Sequence, residues 1–397
     1  MGESNLCLRN PQGLTFRLVR NLSMPFLESG KPTAPARLRS GHRGIGTALA
    51  TTKRSKLLLL LVVASGTLGL GSHALAQQNL YATHTLALPS HSQGNVTMDY
   101  ITYDPKTGYV WVPAINIGSV FVIDTSNEEV HEISGFATKE IEMRGRKGAQ
   151  GPSGVYVGNG VVYIGDRADR SICAVDEKTL ARKGCGHIDS TPDGVVYVAS
   201  TNEVWVTSPG DDSVRILDGH SLRQKAKLTF DGRPEGYAVD AKRGRLYMNY
   251  EDKDLTTAID LKTRKTVAKW QASCGPDGPH GLQIDQNTGY LFVACSTRAE
   301  VLNAGGNGQQ LSSIDTGDGV DDLSYSPATH TLYVGAAKDA KLTVARVDDA
   351  GKLSVIAVVP THEGERNGVV TKNGTVYMAH ARSGNFTDMV VAVPNRK

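Results

Sequence analysis

From about residue 80 onward, apolar residues come in short bursts rich in Val, with one aromatic near the middle. Each burst is bounded by Gly, Asp, Asn or Pro. That alternation predicts many short strands joined by tight turns. One phrase organises them. Residues 232–249, GRPEGYAVDAKRGRLYMN, read as a polar lead-in, an apolar strand (236–240), a charged turn (241–244) and a second strand (245–249). The phrase returns at 278–294 as GPHGLQIDQNTGYLFVA and at 319–335 as GVDDLSYSPATHTLYVG. A phrase that recurs at a fixed period marks a repeat architecture.

Aligning the second strands gives seven copies, centred on Trp111, Tyr163, Trp205, Tyr247, Phe292, Tyr333 and Tyr377. The aromatics stand 52, 42, 42, 45, 41 and 44 residues apart. A third strand follows each one, as at 119–124, 171–176, 213–218 and 255–260, and many end in an Asp suited to the next turn. A fourth strand, such as 265–271, leads into the next copy. Four strands per period is one propeller blade, so the chain predicts an all-β, seven-bladed β-propeller of four-stranded blades. An open sandwich or two smaller propellers are the alternatives. The last copy lacks a fourth strand, and residues 80–89 (LYATHTLALP) form a spare one. Pairing the two closes the ring and removes exposed edges. The single long gap holds an insertion, 139–150, whose charge and Gly content read as a loop.

The first 76 residues differ in kind. Lys53, Arg54 and Lys56 precede the uncharged apolar run 57–70, and Ala74-Leu75-Ala76 follows as a small-residue cleavage pattern. This predicts a signal peptide over 53–76 and a mature propeller over 77–397. A buried strand or helix is the alternative for the apolar run. Residues 1–52 are Arg-rich and acid-poor, and read as a mis-assigned gene start or a long leader outside the fold. Ten of the 43 basic residues and two of the 40 acidic ones lie before residue 77. The rest of the chain is therefore mildly acidic, which gives no push toward nucleic acid. A periplasmic or secreted monomer is expected, with no transmembrane segment once the signal is cleaved. Cys173, Cys185, Cys274 and Cys295 lie beyond the signal. Four Cys allow three connectivities, and spacing favours 173–185 and 274–295, with buried free thiols as the alternative.

The stretches VWVPAINIGSVFVIDTSNEEV (110–130), VWVTSPGDDSVRILDGHSLRQ (204–224) and LYVGAAKDAKLTVARVDDAGKL (332–353) resemble the YVTN-type β-propeller repeats of the YncE-like periplasmic group. The resemblance spans 80–395 and implies the fold and an exported location. It implies no activity, because the shared positions are strand and turn positions. The naming tetrad itself is replaced here by VPAI, VTSP, MNYE and VGAA.

Superposing the copies isolates one position, 10 or 12 residues before each aromatic: Asp99, Ser153, Asp193, Glu235, His280, Asp321 and Asn367. Gly follows in five of the seven. In a propeller this position starts the innermost strand, so the set is expected to converge on one mouth of the central channel. Its oxygen-rich chemistry, with one imidazole, suits a divalent cation (Ca, Mg, Mn or Zn), with Glu235, His280, Asp321 and Asn367 as the candidate ligands. Asp322 and Tyr100, which replace the following Gly, add an acid and a phenol near the same mouth. Arg366 and Arg233 are placed to offset the charge or to grip an anionic ligand. The leading expectation is a non-catalytic propeller that binds a small molecule or protein partner at the mouth. Pairs such as Glu235-Gly236, Asn367-Gly368, Asp193-Gly194 and Asp321-Asp322 resemble the metal-holding strand starts of the senescence-marker/gluconolactonase family. That resemblance implies an alternative, a metal-dependent lactonase or hydrolase with His280 or Glu235 as base. Solvated channel lining and a scaffold propeller remain open beside both. No motif designates catalytic residues.

Overall fold

The computed structural model describes residues 80–89, 94–143, 145–381 and 387–395. The segment expected to be a signal peptide, 53–76, and the extension 1–52 lie outside the described residues. Seven four-stranded antiparallel sheets form the blades of a β-propeller. Blade 1 is Thr102–Asp104, Tyr109–Ala114, Ser119–Asp124 and Glu129–Ile133, and blades 2 to 6 repeat that order along the chain. Blade 7 takes three strands from the far end of the chain (Glu365–Val370, Val376–His380, Asp388–Pro394) and its outermost from Tyr81–Ala87. Tyr81 pairs with Pro394 and Ala87 with Asp388, so the spare early strand supplies the fourth strand that the last copy lacks and closes the ring.

The first strands of neighbouring blades touch around the ring and so line the axis. The tightest approaches explain the glycines. A Cβ at Gly236 would lie 2.0 Å from the His280 carbonyl, and one at Gly281 2.0 Å from the Asp322 carboxylate. Real Cβ atoms do not approach so closely, so Gly at these two positions lets the inner strand press against that of the next blade.

The core is divided into seven apolar clusters, one at each blade interface. Trp111 and Val122 of blade 1 pack with Val155 and Ile164 of blade 2, and Leu86 and Val391 of blade 7 with Val112 and Phe121 of blade 1. All seven central aromatics are buried. Turns after the third strands follow from their terminal Asp. Asp218 Oδ1 accepts from the His220 and Ser221 amides, and Asp260 Oδ1 from Lys262 and Thr263. These amides, with nearby side chains, hold both carboxyls below their ordinary pKa.

Cys173–Cys185 and Cys274–Cys295 are both bonded. The first joins directly paired residues of adjacent strands. The insertion departs from the loop expectation. It forms a two-stranded hairpin, Lys139–Met143 with Arg146–Gln150. Gly145, at φ 73°, supplies the left-handed turn that a tight hairpin needs, and Ile141 and Met143 alternate with charged residues as one strand face requires.

Candidate functional site: the channel mouth and the channel behind it

Ser153, Glu235, His280 and Asn367 lie in the first residues of the inner strands, whereas Asp99, Asp193 and Asp321 lie just ahead of theirs, and the seven do not form one ring of equivalent groups. Asp99, Ser153, Asp193, Glu235 and Asn367 are buried, whereas His280 and Asp321 are half-buried. Two arginines organise the acids. Arg167 Nη2 donates to Asp99 Oδ2 at 2.9 Å and also to Asp193 Oδ1. Arg366 Nη1 lies 3.3 Å from Asp321 Oδ1, and its Nη2 lies 3.9 Å from Asp99 Oδ1. Asn367 Nδ2 donates to Asp99 Oδ1 at 3.2 Å. His280 turns aside and shares a 3.0 Å hydrogen bond between Nε2 and Ser296 Oγ.

Burial pushes the Asp99 carboxyl up, against the pull of Arg167 and Arg366. Burial also works against the Arg167 guanidinium, but Asp193 and Asp99 together outweigh it and keep the group charged. A buried guanidinium bridging two carboxylates holds the site in one arrangement, because each charge needs the other.

The four proposed metal ligands do not come together. No three of the mouth's His, Asp and Glu side chains bring donor atoms within 4.8 Å of one another; the one such group among the described residues is Cys274, Cys295 and Glu300, whose sulfurs are joined in a disulfide. Guanidinium groups occupy the space between the mouth carboxylates that a cation would need. The residues present therefore do not fit a divalent cation. Arg233 pairs with Glu251 at 2.7 Å and, with Asp193, lines a second cavity at the mouth.

Arg167 escaped the sequence reading, yet the repeat contains the signal. It stands four residues after Tyr163, and the matching positions are Ile115, Pro209, Glu251, Ser296, Ala337 and Ala381. Ile115, Arg167, Ala337 and Ala381 line one cavity of 410 Å³ at the mouth, with Arg366, Lys338 and hairpin residues Arg146 and Gln150. Gln150 Oε1 accepts from Arg167 Nη1 at 3.3 Å, so the insertion is tied to the mouth. The face of that hairpin carrying Ile141 and Met143 lines a second mouth cavity of 370 Å³, beside Pro192 and Asp193.

Tyr100 and Asp322 lie one step further along their strands than the mouth residues, and line a separate channel cavity of 250 Å³ with Tyr156 and Tyr237. Tyr100 donates to Glu235 Oε1 at 3.4 Å, and Tyr237 closes its hydroxyl on the Val195 backbone, donating to the carbonyl and accepting from the amide at 2.9 Å. Burial raises the Asp322 carboxyl to about 7, with Asp321 and Asp99 adding to it against one backbone hydrogen bond and Arg366.

No protein-family model and no curated protein matches the chain. Solved structures do. A streptogramin B lyase superposes with a TM-score of 0.62 at 12% identity, over 80% of this chain and 98% of that one. Virginiamycin B lyase from Staphylococcus aureus gives 0.61 at 11%, over 79% and 100%. Kuenenia stuttgartiensis hydrazine synthase gives 0.62 at 14%, over 77% and 98%. At such identities the likeness is one of fold, and the chain is a β-propeller of the same architecture as these chains.

Proposed function

We propose that this chain is an exported propeller of the YVTN-repeat kind whose channel mouth binds a small acidic ligand, or an acidic side chain of a partner, without transforming it. One observation carries the reading. The 410 Å³ mouth cavity is lined by Arg146, Arg167, Lys338 and Arg366 against a single acid, Glu363. Arg167 Nε and Arg366 Nε are buried and have no hydrogen-bond partner among the described residues. Four cationic side chains lining a cavity that holds one acid suit recognition of a carboxylate or phosphate. Export is supported by the basic and apolar pattern of 53–76 and by the two disulfides, which persist in oxidising compartments. A scaffold role has less support, since Val267 and Val358, on outer strands of different blades, are the large exposed apolar residues among those described.

The test is calorimetric titration of the folded chain with succinate and with inorganic phosphate at low salt. Saturable binding that weakens with added salt is expected. Arg366→Met should weaken it at least about tenfold, as loss of a charged hydrogen-bond pair does, and Lys338→Ala by only about twofold, because that side chain already pairs with Asp318 in solvent. Absence of binding by either anion, or an Arg366→Met protein that binds like the parent, would defeat the reading.

A further inference from the structure

Behind the mouth, the channel changes character. The 250 Å³ cavity there is walled by Tyr100, Tyr156 and Tyr237 and otherwise by aliphatic, hydroxyl and amide side chains. Asp322 is its sole carboxylate, and its lining contains no Lys, Arg or His. We propose that this inner cavity is a second site, which takes a small alkylammonium ion held by the Asp322 carboxylate and the faces of the three tyrosines. The proposal is independent of the acidic ligand assigned to the mouth.

The charge argument comes first. Asp322 Oδ1 accepts from the Leu323 amide at 2.8 Å, and Asp322 forms no ion pair among the described residues. Arg366 is spent on Asp321 and Asp99 one layer away. A half-buried carboxylate with no cationic partner is held at a cost, and a ligand of opposite charge removes it. An anion would meet that carboxylate with no base beside it, and a neutral guest would leave it uncompensated.

The walls then choose the kind of cation. Hard metal ions need about six oxygen ligands, and one carboxylate with phenols does not supply them. Cations of diffuse charge are attracted to the faces of aromatic rings. Tyr100 and Tyr237 stand with centroids 6.1 Å apart and planes inclined by 44°, so two faces meet at an angle. Both rings are anchored: the Tyr100 hydroxyl on Glu235, and the Tyr237 hydroxyl on the Val195 backbone. The Tyr156 hydroxyl makes no hydrogen bond among the described residues and remains available to a guest's polar end. A cavity of 250 Å³ is below the roughly 300–1,000 Å³ of drug-sized pockets, which limits the guest to a small ion.

The experiment compares choline and tetramethylammonium with the neutral tert-butyl analogue of choline, by calorimetry and melting temperature on the folded chain near pH 8. Choline should bind saturably and raise the melting temperature, and the neutral analogue should bind at least about tenfold more weakly. Asp322→Asn keeps an acceptor for the Leu323 amide and should fold. It should lose about tenfold in choline affinity while leaving the neutral analogue unchanged. Tyr156→Leu, which keeps apolar volume without a ring face, should weaken choline as well. The proposal is overturned if the neutral analogue binds as tightly as choline, if Asp322→Asn binds choline like the parent, or if the folded parent binds no choline up to about 10 mM.

Discussion

At each of the seven blade interfaces, the same problem is solved in the same way. An aromatic from the second strand, flanked by Val, Ile or Leu, is buried against the neighbouring blade. Along the axis, the seven superposed positions hold acids, an amide, a hydroxyl and an imidazole, and their contacts vary from copy to copy: Asp99 and Asp193 share Arg167, Asp321 faces Arg366, and His280 bonds Ser296. The interfaces are interchangeable in kind, whereas the axis positions are individual. In a ring of repeats, stability is therefore spread over equal shares, and the sites proposed for recognition lie where the copies disagree.

That contrast sets the order of expected effects. Trp111→Ala should cost about 4 kcal/mol in urea denaturation, and Trp205→Ala much the same, since both fill equivalent interfaces. Markedly unequal losses would break the claim that the interfaces are alike. On the axis, Arg167→Met should cost about 3 kcal/mol near neutral pH, because it strands the buried Asp99 and Asp193 carboxylates. That loss should shrink in acid. Burial already pushes Asp99 up, and its protonation removes charge that the arginine neutralised. A cost that does not vary with pH would mean that Arg167 acts through packing alone.

Asp322→Asn should have the opposite sign. Its folded pKa, about 7, lies above the ordinary 3.8, so the fold favours the protonated form. The penalty is absent below about pH 4 and grows as pH rises toward 7. Each pKa unit is worth about 1.4 kcal/mol, which sets an upper bound of about 4 kcal/mol. A gain of about 2 kcal/mol near pH 8, vanishing near pH 4, is expected in denaturation curves recorded at both pH values. No gain at the higher pH would place the carboxylate in a better-compensated setting than the channel provides.

The fold was legible because strand faces and turns obey local rules that recur seven times. The Val-aromatic strands, the closing strand and the Asp-led turns all stand where the pattern places them. The hairpin was misread because charge and Gly are shared by loops and by short exposed strands. The mouth residues were found by superposition, but their contacts were not, since a list of acids does not say which guanidinium lies between them. Arg167 lay at a repeat position that was not compared across blades, and the partner of Arg233, Glu251, stands at that same uncompared position. Asp322 and Tyr100 were noticed as exceptions to Gly, yet assigned to the mouth. One residue along an inner strand carries a side chain from the rim into the channel.

The pairing of Tyr81–Ala87 with Asp388–Pro394 also acts as a clock on biosynthesis. An early strand must wait for almost the last one before the ring can shut. Throughout that interval it is an exposed edge, and the seventh blade is incomplete. Such distant pairing forms slowly, so the nascent chain stays open while it is being made. A ring built this way is therefore finished only when its final blade is complete, however early its other blades have packed.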